Sequence, residues 1–145
     1  MHSPSCHCRN RIKNLLDQGI TIVSDRFYHS GMVYSAAKGN PSLSLAWARA
    51  PEVGLPRPDL VVFLDLEPEE AARRGGWGEE KYEKEEMQKK VRELFRQLAD
   101  DEQAADDKEL ELVNAGGSVE EVSEKIWDLV RTRVDEIKGE IRTVQ

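Results

Sequence analysis

The chain has 145 residues, of which 39% are hydrophobic and 34% are charged, and its formal net charge at pH 7 is −7. This length suits one domain of ordinary size with a modest core. The acidic balance argues against binding to bulk nucleic acid, which requires a basic surface, but not against binding one small anion such as a nucleotide.

Neither a membrane span nor a secretory signal is predicted. No apolar run approaches the ~20 residues needed to cross a bilayer, and residues 1–10 contain no continuous apolar core. Cys6 and Cys8 lie too close together for a disulfide framework, and with His2 and His7 they match no standard zinc spacing, so no metal site is predicted. The expected compartment is the cytoplasm, with the nucleus as an additional location.

The first predicted elements are a helix, a short strand and a further helical segment. Residues 9–18 place apolar side chains at helical spacing, and Gly19 follows as a C-cap. The β-branched run at residues 20–23 predicts a buried strand. A mostly helical pattern then covers residues 28–47 and is interrupted at residues 39–41 (GNP).

The strongest strand signal follows an extended segment with three prolines at residues 51–59. Residues 60–66 are apolar on both faces, which predicts a strand in the middle of a covered parallel sheet. A helix from residue 67 into a glycine-rich stretch at residues 75–78 is expected next, followed by a second helix at residues 84–98. Residues 100–107 are acidic and are expected to be solvated.

A short strand at residues 110–113, a turn at residues 114–117 and a capping box from Ser118 to Glu121 open the last predicted helix. This alternation predicts an α/β fold with three layers, α/β/α, around a parallel sheet. Ligands bind such sheets at the carboxyl ends of the strands. Asp25-Arg26, Asp65 and the turn at residues 114–117 are the places that lie there.

Three motifs have both a functional and a purely structural interpretation. The fork of Arg26 can hold two phosphate oxygens, with Asp25 orienting it or holding hydrated magnesium, but the pair also suits a surface ion pair. Arg73-Arg74 beside the glycine-rich stretch suits a mobile cover over phosphates or a solvated helix end. Gly116 and its neighbour Gly117 admit a ligand ring close to the backbone or simply form the turn.

Several stretches between residues 11 and 128, taken in order, resemble the thymidylate kinases, P-loop enzymes that transfer a phosphoryl group from ATP to thymidine monophosphate (dTMP). The similarity is closest to the eukaryotic branch. The stretches are residues 18–27 (QGITIVSDRF), 30–31 (SG), 36–38 (AAK), 51–60 (PEVGLPRPDL) and 74–83 (RGGWGEEKYE).

The resemblance implies the parallel α/β/α sheet of the P-loop nucleoside monophosphate kinases, and one partial domain with an atypical start at residues 1–10 and a C-terminal helix and tail at residues 129–145. It also implies residue roles. Asp25 would help to organise Mg²⁺, Arg26 would contact the phosphates near the transfer site, and Arg74 would be the lid arginine that covers the donor phosphates. The dTMP pocket would be lined by Arg26, Ser30, Gly31, Tyr34 and Tyr82. The adenine of ATP would meet Ala115, Gly116 and Gly117.

The family's phosphate-binding loop has no counterpart here, because the sequence contains no G-x-x-x-x-G-K-[ST] motif. In the family this loop follows the first strand, which lies between the strands expected at residues 20–24 and 60–66. Phosphoryl transfer depends on that loop, its lysine and Mg²⁺, so we expect an N-terminally truncated form with impaired or no activity alone.

Loss of a central strand would expose sheet edges, which favours marginal stability, aggregation or association, either as a homodimer or with a full-length kinase. Two alternatives to a thymidylate kinase stay open. One is a non-catalytic interaction protein that retains part of the kinase fold, and the other is a different nucleoside monophosphate kinase. No membrane or nucleic-acid partner is expected.

Overall fold

The computed structural model of the chain describes residues 4–74, 81–104, 109–137 and 139–145. The elements in these ranges are α1 (Pro4–Asp17), α2 (Tyr28–Ala37), α3 (Leu45–Arg49), a 3-10 helix (Ala50–Glu52), β1 (Val61–Asp65), α4 (Pro68–Arg73), α5 (Lys81–Ala104), β2 (Leu110–Asn114) and α6 (Val119–Glu136). They fall into two compact units. The helical unit contains α1, α2, α3 and residues 139–145, and the sheet unit contains β1, α4, α5, β2 and α6. Across these ranges, no helix has the combination of length and apolar character that a membrane span requires.

The sheet unit is built on a parallel pair of strands with helices on both faces. β1 and β2 pair in register from Val61↔Leu110 to Asp65↔Asn114. On one face the ring of Phe63 stacks on Phe95 of α5, with centroids 4.2 Å apart. On the other face Glu111 forms a 3.6 Å ion pair with Arg133 of α6. Because side chains alternate along a strand, α5 and α6 cover opposite faces, which confirms the predicted α/β layering.

The ends of the helices in the sheet unit follow the local sequence signals, with one difference. Ser118 and Glu121 form the predicted capping box at the start of α6. Helix α5 extends to Ala104, beyond the predicted end at residue 98. Asp100 and Asp101 are exposed as expected but lie within the helix. The extra turn places Glu102 Oε2 where it accepts hydrogen bonds from the amides of Glu109 (3.2 Å) and Leu110 (2.9 Å), at the start of β2.

The helical unit has its own core, and the end of the chain completes it. The core joins Tyr28 and Met32 of α2, Ala48 of α3, Leu55 and Val144. The sequence predicts a C-terminal helix and tail at residues 129–145. In the structure α6 ends at Glu136, and the tail packs within the helical unit.

The strand predicted at residues 20–23 is not formed. Helix α1 begins at Pro4, earlier than predicted, and ends before Gly19, whose φ of +74° fits the predicted C-cap. Residues 20–24 then lie outside any strand, with Val23 95% exposed. A β-branched run becomes a strand only where a neighbouring strand completes the hydrogen-bond ladder. In the described part of the chain β1 pairs with β2 alone, so β1 is an edge strand there and not a central one.

Candidate functional site

A strained turn in the helical unit carries Asp25 and Arg26, the first predicted site pair. Arg26 has a φ of +63°, in the left-handed region that L-residues other than glycine rarely adopt. The hydroxyl of Ser24 donates a 3.0 Å hydrogen bond to the carbonyl oxygen of Arg26. The Arg26 Cζ atom lies 5.9 Å from the centroid of the Tyr34 ring, within cation–π range. Arg26 and Asp25 are both exposed, so their charges face solvent.

Helix α2 presents three more of the predicted acceptor residues beside this turn, namely Ser30, Gly31 and Tyr34. Tyr28, Met32 and the rest of the buried positions lie on one side of the helix. Ser30 and Tyr34, four residues apart, share the opposite side. A Cβ atom added at Gly31 would meet nothing within 4 Å, so open space lies over that position. The structure therefore brings Arg26, Ser30, Gly31 and Tyr34 to one face of the helical unit.

In the sheet unit, Arg74 contacts the turn that follows β2. Its Nη2 atom donates to the carbonyl oxygens of Ala115 (2.8 Å) and Gly117 (3.2 Å). The sequence placed these residues in separate motifs, about forty positions apart. The fold joins them because α4 follows the carboxyl end of β1, while the turn follows the carboxyl end of its neighbour β2.

Local contacts explain why both of these positions in the turn are glycine. A Cβ atom at Gly117 would lie 2.6 Å from Glu121 Oε2, the atom that accepts a 2.7 Å hydrogen bond from the Ser118 amide. A Cβ atom at Gly116 would lie 3.0 Å from Asn114 Oδ1, which accepts a 2.7 Å bond from the Gly116 amide. These contacts support the interpretation that the glycines form the turn. Because glycine has no side chain, the backbone of the turn is also accessible at both positions.

A charge cluster at the end of β1 was only partly found from the sequence. Asp65 was predicted to lie at the sheet edge, but its arginine partners were not. Arg92 Nε donates to Asp65 Oδ1 (2.5 Å), and Arg96 Nη2 donates to Asp65 Oδ2 (2.7 Å). Arg92 also binds Glu67, with Nη1 donating to Oε2 at 2.7 Å. The sequence did contain a signal for a paired arginine site, because Arg92 and Arg96 are four residues apart and therefore share a face of α5.

The cluster shifts the acidity of its members. Partial burial raises the pKa of Asp65, but the hydrogen bonds from Arg92 and Arg96 outweigh it, so the pKa lies below its usual value. The hydrogen bond from Arg92 is the main reason why the pKa of Glu67 is also lowered. The hydrogen bonds to Glu67 and Asp65 raise the pKa of Arg92. All three groups are therefore charged at neutral pH.

Some predicted features lie outside the described residues. The backbone of Tyr82 belongs to α5, but its side chain is not described, and neither are residues 75–80. The side chains of Cys6, His7 and Cys8 are also not described.

A groove of about 680 Å³ runs between β2 and α6, lined by Leu60, Val113, Lys125, Leu129 and neighbouring residues. Of the predicted sites, the turn at residues 114–117 contributes one lining residue, Asn114.

A parallel strand pair between helices defines an α/β fold, and Arg74 and the glycine turn lie at the carboxyl ends of its strands, where ligands bind in proteins of this class. The thymidylate kinase family model matches residues 3–126. The chain belongs to the thymidylate kinase family. This confirms the predicted family and the predicted fold of the P-loop nucleoside monophosphate kinases.

Curated relatives and a solved structure agree with that assignment. The chain is 41% identical to a thymidylate kinase of Arabidopsis thaliana over 128 residues, which are 88% of this chain and 45% of the relative. It is 40% identical to the Homo sapiens thymidylate kinase over 134 residues, 90% of this chain and 60% of the relative. The chain thus spans about half the length of the curated relatives that it matches. A solved thymidylate kinase from Candida albicans superposes with a TM-score of 0.80 at 30% identity, covering 97% of this chain and 68% of that one.

Proposed function

We propose that the chain binds dTMP and ATP as part of a thymidylate kinase, which converts ATP and dTMP into ADP and dTDP on the way to dTTP. The observation that carries this proposal is the grouping of the implied residues in the folded chain. Arg26 lies over Tyr34, and Arg74 contacts Ala115 and Gly117. Members of the family use ATP as the phosphoryl donor.

The acceptor dTMP is assigned to the face of the helical unit that carries Arg26. The guanidinium is exposed, and its fork can bind two oxygens of a phosphate. Ser30 supplies a hydroxyl, Tyr34 an aromatic ring, and Gly31 the open space for a ligand. On the resemblance alone, Tyr82 is proposed to approach the sugar of dTMP.

The donor ATP is assigned to the turn at residues 114–117. Carbonyl oxygens of this turn can accept hydrogen bonds from an adenine amino group, and its glycines let the ring approach the backbone. Arg74 uses Nη2 to hold the turn. Its guanidinium has further donors, which we assign to the donor phosphates.

The residues present also fit a magnesium ion, which binds proteins through one or two carboxylates together with phosphate oxygens. Asp25 offers an exposed carboxylate next to Arg26. When bound, Mg²⁺ neutralises charge on the phosphoryl group that is transferred. Asp25 would hold the water shell of the ion, and Arg26 would stabilise negative charge on the phosphate.

We further propose that this 145-residue form has impaired or no phosphoryl-transfer activity alone. Its sequence contains no G-x-x-x-x-G-K-[ST] motif. In P-loop enzymes the amides and lysine of that motif seat the β- and γ-phosphates. Arg26 and Arg74 can bind phosphate oxygens without it, so nucleotide binding and turnover are expected to separate in this chain.

Titration calorimetry with dTMP and ATP, each added alone, tests the proposal. We expect both to bind the wild-type chain, Arg26→Gln to weaken dTMP, and Arg74→Ala to weaken ATP. Arg73→Ala is the matched control, because the Arg73 side chain is 74% exposed and its partner is the neighbouring Glu70. A wild-type chain that binds neither nucleotide would refute the assignment of both pockets.

A second candidate function is a non-catalytic interaction protein that retains this part of the fold. The observation in its favour is Leu64, which is 48% exposed although it lies within β1. Such a protein would associate with a second copy or with a full-length kinase. Co-purification with an intact kinase would support it, whereas turnover of dTMP by the purified chain alone would exclude it.

Another nucleoside monophosphate kinase is the third candidate. The solved Candida albicans relative is described as a thymidylate kinase of broad substrate specificity, so the acceptor needs a direct test. Binding of a panel of nucleoside monophosphates, measured under one set of conditions, would rank dTMP against the others. Tighter binding of any other monophosphate would replace dTMP in the proposal.

A further inference from the structure

The last residues of the chain close the core of the helical unit. The amide of Gly54 donates to the carbonyl oxygen of Val144 (2.8 Å), and the amide of Val144 donates to that of Leu55 (2.9 Å). Farther along, the Arg57 amide donates to the carbonyl oxygen of Arg142 at 2.9 Å. Residues 142–144 therefore run antiparallel to residues 54–57, with a bridge between Pro56 and Thr143.

Val144 is the residue of this segment that enters the core. It is 1% exposed, and it packs in one cluster with Tyr28 and Met32 of α2, Ala48 of α3 and Leu55. A hydrogen bond also holds this segment, because Arg49 Nε donates to the backbone oxygen of Gln145 at 3.1 Å. Few side chains come so close to complete burial in the described part of the chain.

The opposite side of α2 carries the proposed acceptor residues. Tyr28 and Met32 point into the cluster, and Ser30 and Tyr34 lie across the helix from them. Helix α2 has 10 residues. Isolated helices shorter than about 12 residues are marginal in water, so tertiary packing must hold this one in place. The position of Tyr34 under Arg26 is therefore set through the buried side of α2.

We propose that Val144 is a positioning residue for the acceptor pocket. It holds α2 at the depth and rotation that place Ser30 and Tyr34 beside Arg26, although it is far from them in sequence and does not line the pocket. This inference rests on the proposed dTMP site. Binding geometries tolerate shifts of only about 0.5 Å, so a cavity beneath α2 weakens dTMP binding before it unfolds the chain.

The effect is specific to one ligand. The turn that we assign to ATP lies in the sheet unit, whose core contains Val91, Phe95, Leu110 and Val113. Val144 belongs to the other core. Loosening α2 therefore lowers the affinity for dTMP and leaves the affinity for ATP unchanged. A residue that only stabilises the fold would change neither affinity at a temperature where the variant is folded.

The test is Val144→Ala in the full chain, with dTMP and ATP affinities measured by calorimetry well below the melting temperature. We expect about tenfold weaker dTMP binding, with ATP binding within twofold of wild type. Hydrogen exchange should accelerate at the amides of α2 and stay unchanged in β2 and α6. Val53→Ala is the matched control, because this valine adjoins the same antiparallel segment but is 57% exposed, and it should leave both affinities unchanged.

If Val144→Ala does not fold, a milder variant provides a second test. Arg49→Gln removes the tie to Gln145 without touching the core and should weaken dTMP binding about two- to threefold. If the wild-type chain binds dTMP and the folded variants bind it equally well, Val144 is structural and the inference is wrong. If the wild-type chain does not bind dTMP, the proposed acceptor site is wrong and the inference falls with it.

Discussion

Arg26 occupies a backbone conformation that costs an L-residue about 1–2 kcal/mol, and its φ of +63° was not foreseeable from its identity. Strain of this kind persists where the surrounding structure fixes it, and it is concentrated at functional sites. The Ser24 hydroxyl, which donates to the Arg26 carbonyl oxygen, is one of the contacts that fix it. In this conformation the guanidinium lies over the Tyr34 ring and is exposed.

Two variants of Arg26 distinguish the free-energy cost of its backbone conformation from the contribution of its side chain to dTMP binding. Glycine adopts positive φ freely, whereas glutamine keeps the strain and loses the charge. We expect Arg26→Gly to have a free energy of unfolding about 1 kcal/mol above that of Arg26→Gln, measured by urea denaturation. Both variants should lose the thermal stabilisation that we expect dTMP to give the wild-type chain. Equal stabilities would mean that the cost of the left-handed conformation does not exceed the entropy that glycine adds to the unfolded chain.

A methyl group added at Gly117 would clash with one residue, Glu121. A Cβ atom there would lie 2.6 Å from the Glu121 carboxylate that caps α6. We expect Gly117→Ala to displace that carboxylate and to lower the free energy of unfolding by about 1 kcal/mol. In a Glu121→Ala background the same change should cost much less, and the double-mutant cycle measures the difference. Equal costs in both backgrounds would show that the clash is not with Glu121.

At the scale of elements, the charge cluster fastens the carboxyl end of β1 to the middle of α5. The Asp65 and Arg92 side chains are 14% and 16% exposed, so water screens this ion pair only weakly. Asp65→Asn removes the negative charge and leaves Arg92 with the more exposed Glu67. We expect the free energy of unfolding at pH 7 to fall by about 1–3 kcal/mol in urea denaturation. Asp128→Asn, which loses an exposed pair within α6, is the control and should change it little.

The same cluster predicts how stability depends on pH. The pKa of Asp65 is lower in the folded chain than its ordinary value of about 4 in the unfolded one. Its contribution is therefore complete above the unfolded pKa and is lost as the pH falls through the folded pKa. The stability gap between the wild-type chain and Asp65→Asn should narrow as the pH is lowered from 7 toward 3. A gap that stays constant would mean that Asp65 does not carry the effect.

Local signals predicted the elements whose ends are determined within a few residues. The capping box at Ser118, the C-cap at Gly19 and the apolar run that forms β1 are all of this kind. Residues 20–23 failed because strand formation needs a neighbour that the local sequence does not contain. The packing of Val144 was missed for the same reason, since its partners lie far away along the chain. Arg26 and Arg74 were predicted as site residues by resemblance, whereas their contacts became known only from the fold.

At the scale of the whole molecule, the sheet unit exposes apolar surface that its own described elements leave uncovered. The exposed fraction is 48% for Leu64 of β1, 63% for Trp127 of α6 and 56% for Val134 of α6. β1 pairs with one neighbour in the described ranges, so its other edge offers unpaired backbone groups there. Exposed apolar strand edges template association with other chains, and lysine at an edge suppresses it.

We therefore expect concentration-dependent self-association of the purified chain, measured by sedimentation velocity over a series of concentrations. Leu64→Lys should shift the distribution toward the monomer, because it places a charge on the exposed strand. The melting temperature should change little, because that side chain is already half exposed. Val53→Lys, which adds the same charge at an exposed valine of the helical unit, should leave the association unchanged. A wild-type chain that stays monomeric at every concentration, with one sharp cooperative melt, would show that the exposed edge of β1 is not adhesive.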